Sequence, residues 1–501
     1  FLANLVALSS AEPTLTPHDA DLEMLRRALH RIRGDREPFL AAERTVYGLA
    51  AMDMWIKQME TVPGFCAECQ ERSQRGWTDA KDNGIIVQEG ARVVASYLRK
   101  RLDTFPAAAR PHLKATAGRY DRIVELLGPA VTGEGGESYR QFVGDAEKQR
   151  AHAENVLRPI KSELAAAADD IEQALHAAYP RAASLDDVPA GGGASNDFVQ
   201  GLAVAMCYCG TPTDYDTLMG DLGVAFIMQA SEEGPFIDGA LDAGWWPLAA
   251  ECLPTYLDFV EQTTGRRIHY LSGDDDEYKR DPAQHYRQTF EIDVKAAIAD
   301  ARAVLAKGPF WKLITGYDEQ EHPLLGHCPA TFEKQTVRLE QYPWAMAVLG
   351  SEIPRLDRKM ADLEALRHAV ALARDRVPMP GGYLTGQRAF AVWVRTLRDT
   401  EHLGQSRWHA NVCLHLHINR RAAVTYLHAM AKRHPKAVAA RLNAAADRYE
   451  QVLDHVKRAD ASHDALMSEA GREKLARLAE GIADLEAQAI AEIEAALLAA
   501  A

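Results

Sequence analysis

Two groups of cysteine and histidine residues have the types and spacing of metal ligands. The segment FCAECQ contains a C-x-x-C pair, Cys66 and Cys69. A second segment, RWHANVCLHLHINR, places ligands at i, i+4 and i+8: His409, Cys413 and His417. On a helix these three side chains share one face, where thiolate and imidazole groups can chelate zinc. Neither group completes a four-ligand site by itself, so metal binding is the weakest of three hypotheses.

Two more cysteines lie near the end of a predicted helix. The turn GGGAS leads to Asn196 or Asp197, which are good N-caps for a helix from about Phe198 to Cys209, and Gly210 is its stop signal. The helix dipole opposes a thiolate at this C-terminal end. Cys207 is nevertheless the candidate for a displaced nucleophile.

Several short segments after this helix have the composition of strands and are bounded by Gly, Asp and Pro. They are RRIHYLS, ARAVLAKG, FWKLITGYDEQ and KQTVRLE. A helix followed by several strands predicts an α+β domain with the helix packed on an antiparallel sheet. The rest of the chain is predicted to be helical, so the expected fold class is mostly α with a central α+β domain.

The helical parts look like two copies of one domain of about 150 residues. The amphipathic segment ADLEMLRRALHRIR, from Ala20, aligns with ADLEALRHAVALAR, from Ala361, with apolar positions in register. The match continues further along both copies: Gly48, Ala51 and Trp55 lie opposite Gly386, Ala389 and Trp393. There are two copies, and another domain separates them. This arrangement indicates a duplication rather than a solenoid of stacked repeats.

This alignment predicts the domain organisation. The helical copies are residues 19–182 and 351–501, and the α+β domain is residues 183–350. Residues 1–18 resemble the exit from the α+β domain, so they are expected to be the tail of a preceding domain of that type. The chain is therefore expected to begin inside a longer tandem array.

The α+β segment resembles a known family. NDFVQGLAVAMCYCGTPTDYDTLMGDLGVAF, followed by FWKLITGYD and Trp344, is similar to papain-like domains of the C39-peptidase type, and more closely to the amino-terminal domain of the butirosin-biosynthesis acyltransferase family. The resemblance covers about 150 residues. It implies a papain-like helix-on-antiparallel-sheet domain between two homologous all-α domains.

The resemblance also implies where a catalytic site would lie. In such enzymes a Cys at the start of the first helix is the nucleophile, a His on a later strand is the base, and an Asp or Asn orients the His. The matching positions here are Asp197, Phe310 and Asp318. Two of the three cannot perform these roles, so the resemblance implies a degenerate site without cysteine-protease chemistry.

A degenerate site leaves a cleft between helix and sheet. Four aromatic residues are expected to line it and to offer flat apolar surface to a peptide or acyl chain: Trp245, Trp246, Trp311 and Tyr317. Asn196 and Asp197 are the expected polar contacts at the helix start. The alternative is that Trp246 and Trp311 fill the core.

Composition excludes several classes of partner. The formal net charge is −14 with no basic stripe, so nucleic acid is not expected as a partner. Charged residues interrupt every apolar run before it reaches the roughly 20 residues of a membrane-spanning helix. Seven cysteines at irregular spacing do not form a disulfide framework, which favours a reducing, cytoplasmic location. No cofactor is expected.

Three functional hypotheses follow. The preferred one is a non-catalytic binding or structural protein with a degenerate papain-like domain, whose ligand is a peptide or acyl-type molecule and whose helical domains self-associate or bind a protein. The alternative is a thiol-dependent acyltransferase or amide hydrolase that uses a displaced cysteine or an active domain upstream. The third is the metal-binding protein.

Overall fold

The chain divides into two compact units, Phe1–Pro180 and Arg181–Ala501. The computed structural model describes residues 17–33, 48–61, 70–131, 145–189, 196–231, 254–272, 275–308, 311–320, 322–327, 337–377, 379, 383–399, 407–460 and 463–500. The second unit contains both the region expected to be α+β and the region expected to be the second helical copy. Each unit is described below by itself.

Helices build the described part of the first unit. Their bounds are α1 Pro17–Arg33, α2 Gly48–Thr61, α3 Gln70–Arg101, α4 Arg110–Val131, α5 Ala146–His152 and α6 Arg158–Ala178. A π-helical turn, Ala153–Leu157, joins α5 to α6. The apolar stripe that predicts α1 faces inward, since Leu22, Leu25 and Leu29 are all buried. The periodicity of the sequence therefore identified the core face of this helix.

An antiparallel sheet organises the first half of the second unit. Its strands are β1 Ala182–Ser184, β3 Arg266–Ser272, β4 Val304–Lys307, β5 Trp311–Asp318, β6 His322–His327, β7 Val337–Arg338 and β8 Ala345–Glu352. The order is β3-β8-β4-β5-β6-β7, with β1 also paired to β5. A separate two-stranded pair joins β2 Gln229–Ala230 to β9 Leu384–Thr385. The predicted antiparallel sheet is confirmed, and sequence reasoning missed its strands β1, β6 and β8.

Helices cover both faces of this sheet. Their bounds up to β8 are α7 Asp197–Tyr208, α8 Tyr215–Asp221, α9 Pro254–Thr264, α10 Asp275–Arg280, α11 Pro282–Thr289 and α12 Glu291–Ala299. Leu305 and Leu313 share one core with α7, whereas Val304 and Ile314 share a second core with α11 and α12. The alternation follows the two-residue period of a strand, so the sheet is buried on both sides.

Helix α7 is the predicted buried helix, shifted by one residue. The side chain of Asn196 accepts a hydrogen bond from the N–H of Val199 at 3.0 Å, as an N-cap does. The helix ends where Gly210 adopts a φ of +75° and the N–H of Thr211 donates to the carbonyl of Met206 at 2.9 Å. This is the Schellman ending that the Gly stop signal predicts.

The second helical region packs directly onto the sheet-bearing region. Its helices are α13 Arg358–Ala373, α14 Gly386–Arg398, α15 Arg407–Ala431, α16 Lys436–Asp460 and α17 Glu469–Ala500. One continuous core extends from Phe198 in α7 and Leu313 in β5 to Tyr449 in α16. The two parts of the second unit therefore share one hydrophobic core where they meet.

Buried charges join these two parts of the second unit. Arg420 of α15 is fully buried, pairs with Glu486 of α17, and donates to the carbonyl oxygens of Ala225 and Ile227 at 2.7 and 3.1 Å. The guanidinium is thus hydrogen-bonded as a buried cation requires.

Among the described helices, none combines the length and the apolar composition needed to cross a membrane.

Candidate functional site

The start of α7 and the start of β5 meet through Asp197. One carboxylate oxygen of Asp197, Oδ2, accepts a hydrogen bond from the backbone N–H of Trp311 at 3.0 Å. The rings of Phe198 and Trp311 pack with their centroids 4.7 Å apart. The backbone N–H of Asn196 donates to the hydroxyl of Tyr215 at 3.3 Å. The first turn of α7 is therefore fixed to β5 and to the start of α8.

A buried lysine lies beside this contact. Lys307, at the end of β4, is only 4% exposed, and its Nζ lies 5.6 Å from the ring centroid of Trp311 and 5.7 Å from that of Trp344. The carbonyl of Lys307 accepts from the N–H of Trp344 at 2.9 Å. We call Asn196, Asp197, Lys307, Trp311 and Trp344 the helix-start site.

Burial controls the charge of Asp197. Desolvation raises the pKa of its carboxyl above the usual range, and this effect exceeds the opposing ones. Hydrogen bonds from its own backbone N–H and from Trp311, and the positive charge of Lys307, favour the ionised form. The carboxylate is thus both hydrogen-bonded and partly removed from water.

The indole N–H of Trp311 is the unexplained group of this site. The side chain of Trp311 has no exposed surface, and no described residue accepts a hydrogen bond from its Nε1. An indole nitrogen can only donate. A buried donor without an acceptor is rare, because its desolvation is uncompensated.

The aromatic residues expected to line one cleft do not all come together. Trp311 belongs to the core under α7, and Tyr317 belongs to the core on the opposite face of the sheet. The pairing of β5 with β6 shifts register between Ile314 and Gly316, so one extra residue on β5 reverses the facing of the residues after it. Tyr317 is therefore corrected to a core residue away from the helix-start site. Trp245 and Trp246 lie outside the described residues.

Asp318 lies away from the start of β5. It ends the strand that Trp311 begins, and at about 3.3 Å per residue this separates them by roughly 20 Å. The Asp318 carboxylate accepts from the backbone N–H of Gln320 at 2.9 Å, within its own turn. Asp318 therefore lies at the opposite end of β5 from Trp311, and its assignment as an orienting carboxylate stays a prediction. Phe310 lies outside the described residues.

The two cysteines at the C-terminal end of α7, Cys207 and the C-cap residue Cys209, lie far from the helix-start site. Cys207 is exposed, and it follows Asp197 by ten residues, or about 15 Å along a helix. Burial raises the pKa of the Cys209 thiol, although the nearby Arg266 and Arg302 lower it. Neither thiol lies at a helix N-terminus, where the helix dipole would stabilise a thiolate.

The candidate metal ligands of α15 are part of a packed seam. His409 and Cys413 are buried, and the indole N–H of Trp393 donates to Nδ1 of His409 at 3.3 Å. Since Nδ1 accepts, the proton of the neutral ring is assigned to Nε2, which lies 3.3 Å from the carbonyl oxygen of Ala459. Both ring nitrogens therefore make structural hydrogen bonds.

His417 does not complete a metal site with them. Within the described ranges, His409, Cys413 and His417 do not bring three ligand atoms within coordinating distance of one another. Cys66 and Cys69 lie outside the described residues.

A small cavity lies elsewhere in the second unit. It has about 10 Å³ of space beside Arg420 and Glu486, at the start of α14. That is the space of about one water molecule, so the cavity does not accommodate an organic ligand.

Sequence reasoning named Trp344 only as part of the resemblance, and it missed Lys307 of the helix-start site altogether. Its signal was a single Lys at the end of the apolar run AVLA, immediately before a Gly. A cation in that position is usually solvated at a strand end, and only the packing of two indole rings shows that it is buried.

No protein-family model matches this chain, and a search of curated proteins found no match either.

Proposed function

We propose that this chain is a non-catalytic binding or structural protein whose second unit contains a degenerate papain-like domain. The observation that carries the proposal is the state of Asp197. It occupies the position that the resemblance assigns to the nucleophile, and its carboxylate accepts the N–H of Trp311. A hydrogen-bonded carboxylate in this place holds the helix to the sheet and supplies no thiolate.

The remaining thiols support the same conclusion. The described cysteines are Cys207, Cys209 and Cys413, and each is remote from the start of α7, buried, or both. A nucleophilic thiol needs a nearby base and an environment that favours the thiolate. Nε2 of His409 lies 3.7 Å from Sγ of Cys413, but because Nδ1 accepts from Trp393 this Nε2 carries the proton of the neutral ring and is a donor rather than a base.

The proposed duplication is supported by one glycine in each helical region. Gly48 begins α2 and Gly386 begins α14, and both have a positive φ, of 58° and 53°. A Cβ at Gly48 would collide with the carbonyl of Ile32, and a Cβ at Gly386 with that of Ala373. Ile32 and Ala373 are partners in the sequence alignment, so both regions make the same close approach of backbone.

The proposal is tested by looking for chemistry that depends on a thiol. We expect the full chain to hydrolyse an N-acetylcysteamine thioester and a library of capped peptides no faster than buffer alone does. Treating the protein with iodoacetamide, which alkylates thiols, should not change these rates. Cys207→Ser should leave this baseline unchanged. Turnover that iodoacetamide or C207S abolishes would establish the displaced-cysteine enzyme instead.

A gain-of-function pair tests the assignment of positions. Asp197→Cys introduces a thiol at the start of α7, and Phe310→His supplies the implied base. If the positions correspond to those of papain-like enzymes, F310H should lower the pH midpoint for alkylation of the introduced thiol, because an imidazolium stabilises a thiolate. Asp197→Ser with F310H is the matched control without a thiol, and an unchanged midpoint would contradict the assignment.

A further inference from the structure

One face of helix α3 in the first unit carries exposed apolar side chains. Val93 is 65% exposed and Ile86 is 43% exposed. Gly90 and Tyr97 complete a stripe at positions i, i+4, i+7 and i+11 of one helix face. We call Ile86, Gly90, Val93 and Tyr97 the α3 face. Single exposed apolar residues are common on protein surfaces, whereas several in one stripe indicate an interaction surface.

The equivalent face of α15 in the second unit is buried. The sequence offset that aligns Tyr120 with Tyr449 places the α3 face opposite four residues of α15, all of them buried: His415, Asn419, Ala422 and Tyr426. Beside this face the two helices agree, since Arg92 and its counterpart Arg421 are both exposed. The two units therefore differ in what covers this one face.

The sheet-bearing region covers the face of α15. The ring centroid of Phe226 lies 6.2 Å from that of Tyr426 and 6.1 Å from that of Tyr449. The hydroxyl of Tyr426 donates to the carboxylate of Asp221 at 2.7 Å. Gly220 approaches so closely that a Cβ there would lie 2.3 Å from the ring of Tyr426. The occupant of this face is thus a segment of the α+β domain that precedes the helical region in the sequence.

The helices of the two regions are held together by the same ion pair. Arg33 at the end of α1 pairs with Glu172 at 2.7 Å, and Arg374 just after α13 pairs with Glu494 at 2.9 Å. Arg33 and Arg374 are partners in the sequence alignment. This correspondence supports a common helical platform in both units, so the α3 face and the face of α15 are comparable surfaces.

One contact of the second unit is changed in the first. Arg420, which donates to two backbone carbonyls of the covering segment, lies opposite Ala91. Its partner Glu486 lies opposite Leu164 when the two ion pairs are aligned. An apolar pair thus replaces a charged pair, and no lone charge is left in the interior. We expect apolar contact to be the main attraction at the α3 face.

We propose that the α3 face binds an α+β domain of the kind formed by residues 181–352, and that this domain precedes α1 in the same polypeptide. In the second unit the covering domain comes directly before the helical region, and residues 1–18 resemble the exit from such a domain. Val93 and Tyr97 then contact the counterpart of the 3₁₀ turn Val224–Phe226. This inference goes beyond the proposed function, since it uses no residue of the helix-start site.

Hydroxyl-radical footprinting measures whether the α3 face is covered in the native protein. Protein isolated from the cells that make it is compared with the recombinant chain of 501 residues. Trypsin cuts after Arg92 and Arg421, so the peptides that begin at Val93 and Ala422 report the two faces from one digest. The Val93 peptide should be oxidised severalfold more slowly in the native protein. The Ala422 peptide and the exposed Met467 should react equally in both samples.

Cross-linking identifies what covers the face. A carbodiimide joins carboxylates to amines in direct contact, and Glu89 and Lys100 are exposed residues beside the stripe. Links from these residues to an α+β sequence that precedes Phe1 would support the proposal. Links to a second copy of the chain or to another polypeptide would overturn it. A Val93 peptide that is oxidised at the same rate in native and recombinant protein would overturn it as well.

A substitution separates docking from folding. Val93→Asp places a charge on the α3 face and should restore the oxidation of Ile86 in the native polypeptide. It should leave the thermal midpoint of the 501-residue chain unchanged, because Val93 is exposed there. Arg92→Asp is the matched control, since this position is exposed in both units, and it should restore no oxidation. An Ile86 that stays protected in V93D contradicts the assignment of the face.

Discussion

The carboxylate of Asp197 connects two elements that are more than 100 positions apart in the chain, the start of α7 and the start of β5. Burial makes this connection costly when the group is ionised, because desolvation raises the pKa of Asp197. The residue therefore combines a stabilising hydrogen bond with a destabilising charge, and the two contributions can be separated by substitution.

Asp197→Ala is expected to lower the free energy of unfolding by about 1–3 kcal/mol, since it leaves the N–H of Trp311 without its acceptor. Asp197→Asn keeps an acceptor oxygen and removes the charge. A pKa that is raised on folding means that the native state holds its proton more tightly. The wild type therefore loses stability relative to D197N as pH rises from the unfolded-state value of about 4 through the native pKa.

Urea unfolding of the wild type, D197A and D197N across this pH range measures these differences. Asp318→Asn is the control for removing a carboxylate elsewhere on β5. A D197N advantage that shrinks as pH rises would show that the carboxylate is better stabilised in the folded state than in water.

At the scale of elements, α2 and α14 each begin with a glycine that no other residue can replace without strain. The positive φ of Gly386 and its close approach to the carbonyl of Ala373 fix how the chain enters α14 after α13. A glycine inside a helix without such contacts behaves differently. Replacing it by alanine introduces no collision and reduces the backbone freedom of the unfolded chain, which stabilises the folded state.

Gly386→Ala is expected to lower the free energy of unfolding by more than about 2 kcal/mol, because it adds both backbone strain and a collision with backbone. Gly481→Ala in α17 is the matched control, since its Cβ would meet only the ring of His455 at 3.7 Å. We expect G481A to raise stability by about 0.5–1 kcal/mol. Thermal unfolding followed by circular dichroism compares the two, and equal effects would refute the special role of Gly386.

At the scale of the whole molecule, the hydrophobic cores of the second unit do not follow the domain boundary that the sequence alignment predicts. Residues 183–350 and 351–501 were expected to be separate domains, yet they share one core within Arg181–Ala501. Residues such as Phe198 and Tyr449 bury apolar surface in that common core, and burial of this kind is the main favourable contribution to folding.

Cutting the chain at two places tests this arrangement. A fragment of residues 181–501 is expected to unfold in a single cooperative transition. A fragment of residues 183–350 should expose apolar side chains that pack against the removed helices, such as Phe226 against Tyr426 and Tyr449, and should bind a hydrophobic dye such as anilinonaphthalene sulfonate. Denaturant titration and dye fluorescence give the answer, and a cooperative, dye-free 183–350 fragment would contradict the shared core.

Local features of the fold were readable from the sequence. The cap at Asn196, the stop at Gly210 and the strand composition of segments such as RRIHYLS depend on neighbouring residues, so the sequence alone predicted α7, β3 and β5. The helical periodicity of α1 likewise depends only on local spacing.

The candidate site was predicted less completely. The sequence by itself determined the helix that starts at Asp197, and the absence of a cysteine at that start. Tertiary structure alone decided that Lys307 is buried beside two indoles, that the indole N–H of Trp311 finds no acceptor among the described residues, and that Tyr317 faces the other core. The physical reason is that caps and periodicity are properties of consecutive residues, whereas burial, a bulge in strand pairing and the satisfaction of a donor depend on residues brought together from distant parts of the chain.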